Sequence, residues 1–270
     1  VSGDATARSR ARRIVSLVPS LTEALFALGL GERVVGVTDW CVHPAARVAR
    51  VPKVGGTKNP SLERIAELRP DLVIANREEN RRRDVERLRE RGIDVWVTYP
   101  RTVADAVELL AELADLGAPR DARQRVLEPI QRAHERAHGA ARRRAGAATR
   151  VFCPIWKEPW MAVGGDTYAD DLLRLCGGEN VFGDRSERRY PIVREEEIVA
   201  AAPEVILLPD EPYAFGPRDV AELCELPLPA ARSRRIHVLD GTLVSWYGPR
   251  IGRAIQTLEG LLEPVAPAGS

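Results

Sequence analysis

The sequence predicts an α/β protein of two lobes, each on a mostly parallel sheet, joined by one long helix and leaving a ligand cleft between them. Three observations carry that expectation. Short β-branched runs alternate with amphipathic helical stretches, the pattern of parallel strands covered on both faces. The segment from Pro119 to about Ala145 has no strand signal at all. The second half of the chain then repeats the first.

Taken in order, Arg13–Val18 reads as a buried strand. Ser20-Leu-Thr-Glu23 has the form of a capping box, its hydroxyl and carboxylate each meeting a free backbone N–H at a helix start. That helix carries Leu21, Ala24, Leu25 and Leu28 on one face and stops at Gly29 or Gly31. Val34–Thr38, Leu72–Ala75 and Asp94–Thr98 are the next strands. Asn59-Pro60 predicts a helix running through Leu68, with Asn as its cap and Pro at its first position. The Ala-, Arg-, Gln- and Glu-rich segment from Pro119 predicts a single spacer helix, about 35–40 Å long at about 1.5 Å per residue. Pro129 predicts a kink or break in it. The alternative is an ordinary surface helix of one domain.

Strands resume at Arg150–Trp156, Val205–Leu208 and Arg235–Leu239. Leu21–Gly36 aligns without gaps on Tyr168–Gly183, and Ser61–Ala75 likewise on Arg194–Leu208, in the same order. Two related lobes follow, at residues 13–118 and 150–262, with the backbone helix at 119–149.

Composition narrows the function. Forty Lys and Arg against 39 Asp and Glu give no global pull toward nucleic acid or a membrane surface. No apolar run is long enough for a spanning helix. Val1–Arg13 is polar and Arg-rich, without the apolar core of a signal peptide. The four cysteines (41, 153, 176, 224) form no C-x-x-C pair, which leaves free thiols and disulfides both open.

Open α/β sheets bind ligands outside the carboxyl ends of their strands. Trp40-Cys41 follows the second strand, Asn76-Arg77 ends the third, and Tyr99 ends the fourth. In the second lobe Trp156-Lys-Glu-Pro-Trp160, Asp210-Glu-Pro-Tyr213 and Trp246-Tyr247-Gly-Pro-Arg250 occupy the same kind of position. Four of the five Trp thus fall in expected loops, which predicts a stacking surface for a large flat ligand; plugging a lobe interface is the alternative. Catalytic motifs are missing: there is no G-x-S-x-G, H-E-x-x-H, Walker loop or G-x-G-x-x-G. His134 and His138 have metal-pair spacing but read as solvated, and no resident metal or cofactor is expected.

Arg13-Ile-Val-Ser-Leu-Val-Pro-Ser-Leu-Thr-Glu23, Ser61–Ile74 and Leu175-Cys-Gly-Gly-Glu-Asn-Val-Phe182 resemble the cobalamin/ferric-siderophore class of periplasmic binding proteins over residues 13–262. The resemblance implies two Rossmann-like lobes on a rigid single-helix hinge, no catalysis, and delivery of a captured ligand to an ABC permease. A monomer acting in the cell envelope is implied, with a cytoplasmic metal-chelate carrier or sensor as the alternative. The implied ligand is a corrinoid or other metal chelate, heme and ferric siderophores included. Glu63 and Glu196 fall where that class carries its permease-docking glutamates, and the internal repeat makes these two positions equivalent. Trp246 and Arg250 match a ligand-side aromatic and its neighbouring arginine, and Tyr190 stands where cobalamin binders carry Trp. The expected ligand-binding set is Trp40, Cys41, Asn59, Asn76, Arg77, Trp156, Trp160, Tyr190, Tyr213, Trp246, Tyr247 and Arg250.

Overall fold

The computed structural model describes residue 8 and residues 10–144, 148–185 and 188–264. Most of Val1–Ser9 and the expected helix end near Ala145 lie outside the described residues. The chain divides into two compact units. One takes the described residues within Val1–Pro100, Asp105–Ile130 and Tyr247–Pro249, the other those within Arg101–Ala104, Gln131–Trp246 and Arg250–Ser270.

In the first unit, strands β1 (Ile14–Ser16), β2 (Val34–Val37), β3 (Leu72–Asn76) and β4 (Val95–Thr98) form a sheet of order β2-β1-β3-β4. Every pair is parallel. β3 is buried along its whole length, as a central parallel strand covered on both faces must be. Helices α1 (Pro19–Ala27), α2 (Leu62–Glu67), α3 (Arg82–Glu90) and α4 (Val103–Ala114) connect the strands or follow them. Leu62 and Ile65 of α2, with Val85 and Leu88 of α3, pack on Val15, Val73, Ala75 and Val95 to make the core.

Helix α5 (Arg120–Arg143) runs without a break through Pro129, contrary to one of the expected outcomes there. Proline has no N–H, so only the bond to the Arg125 carbonyl is forfeited.

The second unit holds β5 (Thr149–Phe152), a short antiparallel hairpin of β6 (Pro154–Trp156) and β7 (Met161–Ala162), and then α6 (Tyr168–Leu175). There follow β8 (Gly178–Asn180), α7 (Glu195–Ala201), β9 (Val205–Pro209), α8 (Pro217–Cys224), β10 (Ile236–Leu239) and α9 (Ile251–Leu262). Its parallel sheet has the order β10-β9-β5-β8. Read from the other edge, β8-β5-β9-β10 is the first unit's β2-β1-β3-β4. The internal repeat is therefore a repeat of topology: residues 61–75 carry α2 and β3, and residues 194–208 carry α7 and β9.

Four local expectations are corrected. α1 is capped by Val18 with Pro19 at its first turn, so the Ser20–Glu23 box does not form and Ser20 is buried in the helix. The fixed φ of Pro19 starts the helix one residue ahead of the serine. α2 is capped by Ser61, whose hydroxyl accepts from the Arg64 N–H, while Asn59 and Pro60 stay outside it. Pro60 bridges to Gly55 across the Val54–Asn59 turn. The expected strand Arg150–Trp156 breaks at Cys153, and its second half turns away into the β6–β7 hairpin. Trp156 therefore sits on a hairpin strand, not in a loop. β8 was not foreseen.

Candidate ligand-binding site

In a parallel sheet all the strands' carboxyl ends share one edge, so each unit gathers its post-strand residues along one rim. In the first unit the turn after β2 sorts its residues sharply. Trp40 is 67% exposed, whereas Cys41 is buried with its thiol 3.1 Å from both the Thr22 and Thr38 hydroxyls. Burial pushes that thiol's pKa up, in spite of the two hydroxyls. Cys41 is thus part of the core and Trp40 of the rim. Lys53 fixes the turn by donating to the carbonyls of Thr38 (3.1 Å) and Cys41 (2.8 Å). Beside it, Gly56 leaves room for two neighbours. A Cβ there would lie 2.5 Å from Asn59 Oδ1, so a larger residue would displace the Asn59 amide, whereas Trp40 Nε1, at 3.8 Å, would be in ordinary contact.

After β3, Asn76 is buried and shapes the loop: its Oδ1 accepts from the N–H groups of Glu78 (2.8 Å) and Glu79 (3.3 Å). Arg77 projects beyond it, its guanidinium 4.8 Å from the centre of the Tyr99 ring. Tyr247 belongs to this unit. It is buried and donates from its hydroxyl to Glu79 Oε1 at 2.8 Å, and burial pushes its pKa well up.

The second unit builds a ladder of rings. Trp156, 42% exposed, meets Tyr213 edge-on at 5.5 Å, and Tyr213 lies 4.6 Å from Phe215. Phe215 stacks on Trp160 at 5.9 Å and 7°, Trp160 meets Phe152 at 6.0 Å, and Phe152 meets Phe182 at 5.7 Å. The ladder runs from solvent to the core, so the outermost indole is braced by rings and not by flexible chains. Lys157 secures the hairpin, donating to Asp219 (2.8 Å) and Glu222 of α8 with its ammonium 5.5 Å from the Trp160 ring.

Trp246 is only 8% exposed. Its indole N–H donates to Glu211 Oε1 at 2.7 Å, and the Arg250 guanidinium lies 5.0 Å above its ring. Arg250 is held by Thr242 Oγ1 (2.7 Å) and Asp240 (3.4 Å). Burial raises the Glu211 pKa, outweighing the Trp246 and Ser245 hydrogen bonds that would lower it. Tyr190 is half-buried on the segment that pairs with β7, where Ala162 N–H donates to the Pro191 carbonyl.

Of the expected set, Trp40, Asn59 and Arg77 lie on the first unit's rim with Tyr99. Trp156, Tyr213, Trp246 and Arg250 lie on the second unit's rim. Trp160 is an inner rung of the ladder, and Cys41, Asn76 and Tyr247 act from within. Sequence reasoning missed the roles of Glu211 and Lys157. Their only signal was position, each standing in a post-strand segment already singled out for its aromatics. All four cysteines are free thiols. Among the described residues no group of three or more His, Cys, Asp and Glu is placed to hold a metal ion.

The candidate docking acids occupy matching places, each in the first turn of its helix and exposed. Glu63 is paired with Arg91 at 3.1 Å. The backbone N–H at the helix start and then Arg91 hold its carboxyl below the usual range.

Comparison with known proteins finds relatives along nearly the whole chain. A vitamin B12-binding protein of Pectobacterium carotovorum is 27% identical over 259 residues, covering 96% of this chain and 91% of that one. Among solved structures, the periplasmic vitamin B12-binding protein BtuF of Vibrio cholerae superposes with a TM-score of 0.82 at 25% identity, over 94% of this chain and 97% of that one. The periplasmic heme-binding protein RhuT of Roseiflexus sp. RS-1, in its apo form, gives a TM-score of 0.77 at 28% identity, over 93% and 98% of the two chains. Residues 14–243 match the periplasmic binding protein family, and this chain belongs to it.

Proposed function

We propose that this protein is the capture component of an ABC importer for a large, flat metal chelate, a corrinoid before others. The carrying observation is the pair of exposed indoles, Trp40 in the turn after β2 and Trp156 on the hairpin that follows β5. Asn59 would supply hydrogen bonds beside the first indole and Tyr213 beside the second. A corrinoid brings all of its metal ligands or takes them from its own base and from solvent. No side chain of this chain is then needed on the metal.

Titrating intrinsic Trp fluorescence with cyanocobalamin, hemin and a panel of ferric siderophores, corrected for inner-filter absorption, tests this. Saturable quenching by cyanocobalamin is expected. Trp156→Ala is expected to weaken it about tenfold, which is about 1.4 kcal/mol. An unchanged affinity removes Trp156 from the site. Heme is the second reading, favoured by the 28% identity to a heme-binding protein. It requires an axial side chain, for which the half-buried Tyr190 and Tyr213 are available. Saturation by hemin alone, lost in a Tyr→Phe variant at one of them, would establish it.

Delivery follows from docking on a permease through Glu63 and Glu196, at the outer face of the cytoplasmic membrane. Reversing both charges is expected to abolish uptake in cells while leaving ligand affinity in vitro unchanged. Loss of ligand affinity instead would assign these acids to the pocket.

A further inference from the structure

Two acids in succession follow β9, and each grips the segment that follows β10. Asp210 Oδ1 accepts from the Gly241 N–H at 2.7 Å. Glu211 Oε1 accepts from the Trp246 indole N–H at 2.7 Å and from the Ser245 hydroxyl at 3.4 Å. The turn closes on Glu211 without slack. A Cβ on Gly241 would lie 2.6 Å from Glu211 Cγ and 2.8 Å from its backbone N and O. Gly241 is there for room and not for its backbone angle, since its φ is −60°. One step further on, the Arg250 guanidinium lies 5.0 Å from the centre of the Trp246 ring and is held by Thr242 and Asp240. The indole thus has an anion on its edge and a cation over its face.

Satisfying an indole N–H does not call for this arrangement, because a hydroxyl or an amide oxygen accepts it equally well. Glu211 is half-buried, and the charged groups around it do little to help it ionise. Asp210 comes from its own loop, Asp240 from the turn after β10 and Arg250 from the head of α9. Burial first, and then the charges of Asp210 and Asp240, hold its pKa up. Arg250 is already engaged by Asp240. What a carboxylate adds over a neutral acceptor is charge. A hydrogen bond to an ionised acceptor is about twice as strong as a neutral one. Negative charge at the positive edge of the ring also enriches the face that attracts the guanidinium.

We propose that Glu211 is a positioning residue for chelate capture: its negative charge, and not its shape alone, holds Trp246 and Arg250 in the arrangement the ligand meets. The proposal rests on the capture reading above. It makes affinity follow the charge of a side chain that need not touch the ligand. Acid should therefore loosen capture. As pH falls through the raised pKa of Glu211 the carboxyl becomes neutral, the indole keeps only an ordinary hydrogen bond, and Arg250 loses the enriched face beneath it. The loss begins above the ordinary glutamate range of about pH 4.

Cyanocobalamin is titrated into the full chain between about pH 8 and about pH 5, with Trp quenching as the readout; hemin replaces it where hemin alone saturates. Glu211→Gln keeps the acceptor and the shape while removing the charge. It is expected to bind about tenfold more weakly than wild type at about pH 7.5, which is about 1.4 kcal/mol, and to show no acid dependence of its own. Wild type should converge on it as pH falls. Glu225→Gln, the same change of charge at an exposed position of the same unit, should follow wild type throughout, and circular dichroism checks that each variant folds. Parallel profiles for wild type and Glu211→Gln overturn the proposal whatever the offset between them, because the role is then one of shape. If the Gln variant does not fold, a wild-type affinity that stays flat on acidification overturns it instead. Wild type that no chelate saturates refutes the capture reading itself, whereas saturable binding with parallel profiles refutes the role of Glu211 alone.

Discussion

Phe152→Ala is expected to lower the unfolding free energy of the second unit by about 3–5 kcal/mol, the usual cost of removing a fully buried aromatic ring. Phe152 is completely inaccessible and lies where the ring ladder enters the core, edge-on to both Trp160 and Phe182. Its removal leaves a cavity against Ile206, Leu208 and Ile198, a neighbourhood of packed apolar side chains and sheet backbone. Urea titration followed by far-UV circular dichroism measures the loss. Phe152→Leu, which keeps most of the volume, should cost about 1.5 kcal/mol or less. The same truncation frees Trp160 and, through Phe215 and Tyr213, the brace behind Trp156. Chelate affinity should therefore fall even where the variant is fully folded. A variant that loses stability but keeps affinity would show that the outer rungs hold without the inner one.

Lys157→Met should be the second most costly change, at about 2–3 kcal/mol. That is less than the loss on breaking a fully buried pair, because Glu222 remains solvated. The Lys157 and Asp219 side chains are each only about a tenth exposed, so removing the ammonium strands a carboxylate. The pH dependence has a definite sign. Burial opposes the lysine's charge, but the hydrogen bonds to Asp219 and Glu222 prevail and raise its pKa. Its share of stability is therefore complete below the ordinary lysine range, about pH 10, and is lost only as pH rises through the higher folded value. Burial likewise opposes the Asp219 carboxylate, and Lys157 with the Gly216 N–H prevails to lower its pKa. Its share is complete above about pH 4 and lost as pH falls through the depressed value. The gap between wild type and variant should be constant from about pH 5 to 9 and shrink toward pH 3. A gap that grows on acidification would contradict the pairing.

What was legible in the sequence were the features that local chemistry fixes. The strand runs at Leu72 and Val205, the helices ahead of them and the repeat that equates them needed only apolar runs and a helical period. Where neighbouring signals competed, reading failed. Asn59-Pro60 and Ser61 are all good helix starters, and the register of Leu62 and Ile65 on the core, a tertiary demand, chose the serine. Pro19 overrode Ser20 in the same way. Gly178–Asn180 has no apolar alternation and is a strand only because β5 lies beside it. The site divides along the same line. That Trp40 and Trp246 each follow a strand of a parallel sheet was readable, because the topology fixes where strands end; Trp156 lies instead on the hairpin strand β6. Which of them faces solvent was not. Trp246 is turned inward by the Glu211 carboxylate, 35 residues away in sequence.

The short piece Tyr247–Pro249 belongs to the first unit although it is flanked on both sides by residues of the second. Synthesis therefore finishes the first unit late. Its strands and helices emerge within the first half of translation, yet Glu79 waits for a phenol 168 residues downstream. A gene fragment ending after residue 130 would encode every strand of the first sheet and still omit the phenol that Glu79 accepts from. Harvesting this unit as an independent module would require a circular permutation or a graft that carries residues 247–249 along.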